Sequence, residues 1–312
     1  MKEREPSTYH IPVMLRESVD GLDIKPGGTY VDATFGGGGH SGAIMQRLGT
    51  GGRLFAFDRD GDAEKEARRL AVVGDAKPTF TFVRSNFRYL ANWMRYYEVE
   101  HIDGLLADLG VSSHHLDDVS RGFSFRGDAP LDMRMNRSGG LTAADIVNTA
   151  TEERIADILY MYGELRDSHR IAAAIVKAAQ GRAITTTGDL VAAVKPLMHR
   201  DRETKDMARL FQALRIEVNH ELDALVDMLD AAASLLAPGG RIAVITYHSL
   251  EDRIVKNVFK TGNARGRLDK DIYGRVTAPL RQIHGRVIVP GGDETAANPR
   301  SRSAKLRIAE KI

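Results

Sequence analysis

The sequence predicts an α/β protein built on a Rossmann-like sheet, with an all-helical domain inserted into it. Three observations carry that expectation. Thr29 to Ala33, an apolar and β-branched run, is joined to an apolar-periodic segment by the glycines Gly36 to Gly39. Residues without a Cβ let backbone N–H groups close on a ligand at a helix start, where the helix dipole is positive. Ile102 to Leu109, IDGLLADL, and RIAVITY after Pro238-Gly239-Gly240 are nearly continuous apolar runs, as parallel strands covered on both faces require. Between these two strands lie about 130 residues, where a parallel crossover needs only about a dozen.

Taken in order, HIPVMLRESVDGL places Val13, Met14, Leu15, Val19 and Leu22 on one face of a short helix. Strand one and the glycine turn follow, then a helix carrying Ala43, Ile44, Met45 and Leu48 that closes at Gly49. RLFAFD forms strand two and ends in Asp58; a charged helix runs from Gly61 to about Leu70. TFTFVRSN is strand three and ends at Asn86-Phe87, after which Leu90, Trp93, Met94 and Tyr97 recur at helical spacing as a core stripe. Strand four ends in Asp108.

From Gly122 to Asn219 the signals are helical: Thr142 and Thr151 as N-caps, Gly163 and Gly181 as C-caps, and Ile171, Ala174, Ile175 and Ala178 as an apolar face. The expected domains are therefore 1–121 with 220–312, and an inserted 122–219. An insertion leaving strand four overhangs the carboxyl ends of the strands, where ligands of such sheets bind. A long amphipathic run with Val218, Leu222, Leu225 and Leu229 on one face leads to Leu236 and strand five. Thr261 to Arg286 reads as a mobile loop, and Arg286 to Val289 with Ala304 to Ile308 as an antiparallel pair on the sheet edge.

With 43% hydrophobic and 28% charged residues the chain has the balance of a soluble globular protein. The first ten residues lack a signal-peptide core and no run approaches the roughly 18 apolar residues of a membrane span, so a cytoplasmic location is expected. The absence of cysteine excludes disulfides, thiolate catalysis and cysteine-bound metals. Net charge is +2, unevenly spread: from Glu251 onward there are 14 lysines and arginines against 7 acids, +7, which leaves −5 on the first 250 residues. A basic C-terminal quarter suits phosphate contact, or simply a solvated face.

The glycine turn by itself leaves its ligand open. Gly37, Gly39 and Gly42 satisfy G-x-G-x-x-G, and Asp58 lies 21 residues beyond Gly37, as in a dinucleotide site. An S-adenosylmethionine site uses the same turn and the same ribose-binding acid. An oxidoreductase on this turn lacks evident hydride-acceptor machinery in the rest of the chain. A non-catalytic RNA-binding factor on a methyltransferase-like fold is a third class.

The segments HIPVMLRE, TFGGGGHS, FDRD, LLADLGVSSHHLDDVSRGFSFRGDAPLDMRM, APGGRIAVITYHSLEDRIVK and NPRSRSAKLRIAE together resemble the MraW/RsmH family of bacterial 16S ribosomal RNA cytosine-N4 methyltransferases, over essentially the whole chain. The resemblance implies a class I S-adenosylmethionine-dependent methyltransferase sheet. Its substrate would be a cytidine in the decoding region of 16S rRNA within the small ribosomal subunit, and not DNA. Carried over by position, the cofactor contacts fall on Gly38, Gly39, His40, Asp58, Phe87, Asp108 and His115. After DLGVSS the family commonly has Pro-Gln, where this chain has His114-His115.

Methyl transfer from a sulfonium to an amine needs no metal, only in-line placement of the reacting atoms. Cytosine N4 is a weak nucleophile, and an acceptor for its N–H would localise the lone pair. Asp108 is the first candidate and His248, just after strand five, the second, with a hydrogen-bonded histidine at a strand end as its plainer reading. A base in structured RNA must be unstacked and held; Phe123 and Phe125 suit stacking, or a short buried strand. Phosphate contacts fall to Arg134, Arg253, Lys256, Arg300 and Arg302. The sequence is compatible with a monomer or a homodimer.

Overall fold

The computed structural model describes residues 12–71, 78–110, 118–268 and 278–312. The chain divides into two compact units, 1–110 with 222–312, and 111–221.

The first unit is a seven-stranded sheet of order β3-β2-β1-β4-β5-β7-β6. Its strands are β1 Thr29–Asp32, β2 Arg53–Asp58, β3 Thr79–Arg84, β4 Ile102–Asp108, β5 Leu236–Thr246, β6 Leu280–Gln282 and β7 Lys305–Lys311. β1 to β5 are mutually parallel, and β7 runs antiparallel to both β5 and β6. Continuous apolar runs were required because both faces are covered. Val31, Leu105, Ala107, Ile242 and Val244 face one core, against Leu90 and Met94, Leu225, Met228 and Leu229, and Val255 and Phe259. Their neighbours Tyr30, Leu106, Ala243 and Ile245 face the other core, against Val19, Ile44 and Leu48. Alternation of Cβ direction along each strand makes this division.

The C-terminal strands differ from expectation. The stretch around 286–289 contributes only an isolated bridge, Ile288 to Leu306, and the strand that pairs with β7 is β6. β7 is interior, because Leu306, Ile308 and Ala309 are fully apolar positions that need cover on both faces. Of the expected loop Thr261–Arg286, residues 269–277 lie outside those described.

The second unit is helical: Ala143–Thr149, Glu152–Gly163, Ser168–Gly181, Thr187–Val194 and Glu203–Asn219 surround one core. Thr142 forms a capping box with Asp145, as Thr186 does with Asp189, and the Thr151 side chain accepts from the Arg154 N–H. Gly163 and Gly181 are the last helical residues, and the caps are Glu164 and Arg182. The long run read as one helix is two, because His220 turns left-handed at φ 49° and ends Glu203–Asn219 before Glu221–Leu235 begins. The segment after Gly122 also packs into this helical unit. Phe123, Leu131, Met133 and Met135 are buried in its core, and Asn219 ties that segment down by accepting from the Met135 N–H and donating to the Met133 carbonyl, both at 2.8 Å.

Candidate active site

Three adjacent strands, β2, β1 and β4, each end in an aspartate: Asp58, Asp32 and Asp108. The glycine turn lies across the same ends. Gly36 and Gly38 take φ 52° and 78°, and Gly38 caps the helix Gly39–Leu48. A Cβ on Gly38 would lie 2.7 Å from Leu70 Cδ1 and 2.8 Å from Phe35 Cζ, so both conformation and packing demand glycine there. A Cβ on Gly36 would meet nothing closer than the Thr34 carbonyl at 4.0 Å, so the space beside the turn is open there. Asp58 fixes the turn by accepting from the Gly36 N–H at 2.8 Å.

Asp32 is fully buried and accepts from Ser41 Oγ at 2.6 Å and the Thr34 N–H at 3.0 Å. Burial pushes its carboxyl up to about 6, against the hydrogen bonds from the Ser41 side chain and from the Thr34 and Ser41 backbone. Asp108, with a side chain 22% exposed, is likewise raised to about 6, chiefly by burial. Its Oδ1 accepts from the Tyr247 hydroxyl at 2.7 Å, and its backbone N–H donates to Thr34 Oγ1 at 2.6 Å. Oδ2 lies 4.0 Å from His40 Nδ1. His40 is buried, and its Nε2 donates to the Val13 carbonyl at 3.2 Å; burial holds the ring below its ordinary pKa. Because a carbonyl only accepts, the neutral ring carries its proton on Nε2 and turns an unprotonated Nδ1 toward Asp108.

The remaining expected site residues are dispersed. Phe87 is half-buried in a 3₁₀ turn after β3, against the core. His115 lies outside the described residues. His248 is the N-cap of the helix Ser249–Thr261: its Nδ1 accepts from the Glu251 N–H at 3.4 Å while Glu251 Oε2 accepts from the Tyr247 N–H at 2.9 Å. Its Nε2 is buried without a hydrogen bond among the described residues, although Glu251 Oε1 is 3.1 Å away.

Phe123 is 8% exposed, a member of the helical core with Arg121 over its ring, so it offers no free face for a base. Phe125 is half-buried, edge-on to Phe211 at 5.6 Å. Arg134 is clamped to Asp132, Nε to Oδ1 at 2.7 Å and Nη2 to Oδ2 at 2.9 Å, which removes it as a ready phosphate ligand. Arg253, Lys256, Arg300 and Arg302 are exposed on the first unit.

Sequence reasoning passed over Tyr247 and Thr34, the two residues that hold Asp108. Tyr247 lies one residue beyond β5, and only the register that pairs Asp108 with Ile245 brings it to the level of the carboxylate, which no sequence pattern encodes.

The open backbone at Gly36, the acid at the end of β2 and the acids beside it suit S-adenosylmethionine, which needs close backbone approach and acceptors for hydroxyl and ammonium groups. Fold and site thus define a Rossmann-like, class I S-adenosylmethionine-dependent methyltransferase. The chain belongs to the MraW methylase family, whose sequence pattern matches residues 7–312. Proteins named ribosomal RNA small subunit methyltransferase H are 60% identical in Bacteroides fragilis, over 100% of both chains, and 60% identical in Bacteroides thetaiotaomicron, over 99% of both. One from Phocaeicola vulgatus is 59% identical over 97% of both chains. No helix among the described residues is long and apolar enough to cross a membrane.

Proposed function

We propose that the chain transfers the methyl group of S-adenosylmethionine to the N4 amine of a cytidine in the decoding region of 16S rRNA, within the small ribosomal subunit and in the cytoplasm. The observation that carries this reading is full-length similarity to enzymes named for the small-subunit ribosomal RNA. The acceptor geometry at Asp108 agrees with it.

Gly38, Gly39, His40, Asp58, Phe87, Asp108 and His115 are assigned to the cofactor, which supplies a methyl group already activated on a cationic sulfur. Asp108 is assigned to the substrate amine as well. With its carboxyl near 6, most of it is ionised at pH 7, yet it is basic enough to accept a proton in the transition state. A carboxylate accepting the amine's N–H localises the nitrogen lone pair that the ring otherwise withdraws. His248 is left with a structural role, as helix cap.

The helical unit is assigned to substrate choice. Arg253, Lys256, Arg300 and Arg302 are assigned to RNA phosphates, a contact that weakens steeply with salt. Phe125, but not Phe123, remains available to touch an unstacked base.

The test is incubation with methyl-labelled S-adenosylmethionine and either small subunits or naked rRNA from cells lacking the gene, followed by nucleoside mass spectrometry. Label in N4-methylcytidine from subunits is expected. No N4-methylcytidine from either substrate, despite measurable cofactor binding, would refute the proposal.

A further inference from the structure

We propose that the Tyr247 hydroxyl is a positioning group that holds the Asp108 carboxylate by Oδ1 and so presents Oδ2 as the acceptor for the substrate's amine. This rests on the assignment of Asp108 to that amine under Proposed function.

The observation is an asymmetry between the two carboxylate oxygens. Oδ1 is occupied by the Tyr247 hydroxyl at 2.7 Å. Oδ2 accepts no hydrogen bond among the described residues; its neighbour His40 Nδ1 is 4.0 Å away, and in the neutral ring that nitrogen has no proton to give. The backbone that carries the carboxylate is pinned, since the Asp108 N–H donates to Thr34 Oγ1 and the following residue, Leu109, donates its N–H to the Ile245 carbonyl at 2.9 Å; the Tyr247 bond is what fixes the side chain. Tyr247 is in turn fixed through its own N–H to Glu251 Oε2 at 2.9 Å. The phenol suits this position, since burial and the adjoining carboxylate raise its pKa and keep it a donor throughout the working pH range. A hydrogen bond that can only be donated to the charged oxygen favours the ionised acid.

The charged groups facing Asp108 are His40 from the helix after the turn, Asp32 from β1 and Glu251 beyond β5. Asp32 and Glu251 oppose the carboxylate, and His40 favours it only when its ring is protonated, a state that burial disfavours. Removing the phenol donor therefore moves the ionisation of Asp108 upward. A bond to a charged group worth about 1.4 kcal/mol corresponds to a tenfold change, or about one pH unit.

Tyr247→Phe keeps the ring and deletes the donor. With full-length protein, S-adenosylmethionine and small subunits, the acidic limb of kcat/KM against pH is expected to move up by about one pH unit while the alkaline plateau is retained. In the protein without substrates, the carbon-13 carboxyl signal of Asp108 should titrate higher by the same amount. 3-Fluorotyrosine at position 247, a stronger donor, should move that titration the other way and keeps the test independent of how the Phe variant folds. An unmoved carboxyl titration in both variants overturns the positioning role. Asp108→Asn separates the two readings: if it retains turnover, the acceptor assignment fails, whatever Tyr247 does to the carboxyl titration.

Discussion

Asp32 is fully buried at the end of β1 with a carboxyl raised from 3.8 to about 6, which makes Asp32→Asn a quantitative probe of the acid cluster. A carboxyl whose folded pKa exceeds its unfolded one binds its proton more tightly in the native state. Its contribution is therefore intact below about pH 4, declines as pH rises toward 6, and is fully unfavourable above that. Each pKa unit is about 1.4 kcal/mol, so keeping Asp32 ionised costs the native protein about 3 kcal/mol at pH 7.5. Asparagine is isosteric and uncharged; its oxygen can still accept from the Thr34 N–H and its amide can donate to Ser41 Oγ, at the loss of the acceptor for the Ser41 N–H, which trims the gain. The variant should thus be about 2–3 kcal/mol more stable than wild type at pH 7.5, or about 5–10 °C in Tm for a unit of this size, with the gap closing near pH 4. Calorimetric melting of both proteins from pH 4 to 8 makes the measurement. A stability difference that stays constant across that range would refute a buried ionised Asp32.

Two further substitutions test other parts. Gly38→Ala combines a left-handed φ of 78° with contacts under 3 Å to Leu70 and Phe35, and should cost about 2–4 kcal/mol and weaken S-adenosylmethionine binding, read by urea melting and titration calorimetry. Asn219→Ala leaves the buried Met135 N–H and Met133 carbonyl without their partner, and should cost about 3 kcal/mol in the helical unit, with hydrogen exchange at the Met135 amide accelerated first.

The sheet was legible because its strands are buried on both faces: IDGLLADL and RIAVITY admit no other cheap solution. β2 falls on the six residues read as RLFAFD for the same reason. Where burial alone does not decide, the reading slipped. Val218 and Leu222 look like one amphipathic face, but a left-handed His220, whose conformation no periodicity encodes, separates them. Phe123 and Phe125 have the composition of a stacking platform; Phe123 is core because the segment 119–135 folds onto helices whose partner faces are distant in sequence. At the site, Asp58 and Asp108 could be picked out as acids that close apolar runs. The atoms that tune Asp108 could not, since Tyr247 reaches it only through the β4–β5 register, across more than a hundred residues of chain.

Asp58, Asp32 and Asp108 end three neighbouring strands, an arrangement that stability alone would not select. Asp58 raises the pKa of Asp32, and Asp32 raises that of Asp108, so each carboxylate makes the next harder to ionise. The fold answers with local donors: Gly36 to Asp58, Thr34 and Ser41 to Asp32, Tyr247 to Asp108. Those donors do not bring Asp32 or Asp108 back to an ordinary carboxyl value, and a bound cation would complete the compensation. A sulfonium cofactor carries such a charge and its demethylated product does not. If these acids line the cofactor site as proposed, the same electrostatics that cost the fold stability would favour a positively charged ligand over one without that charge.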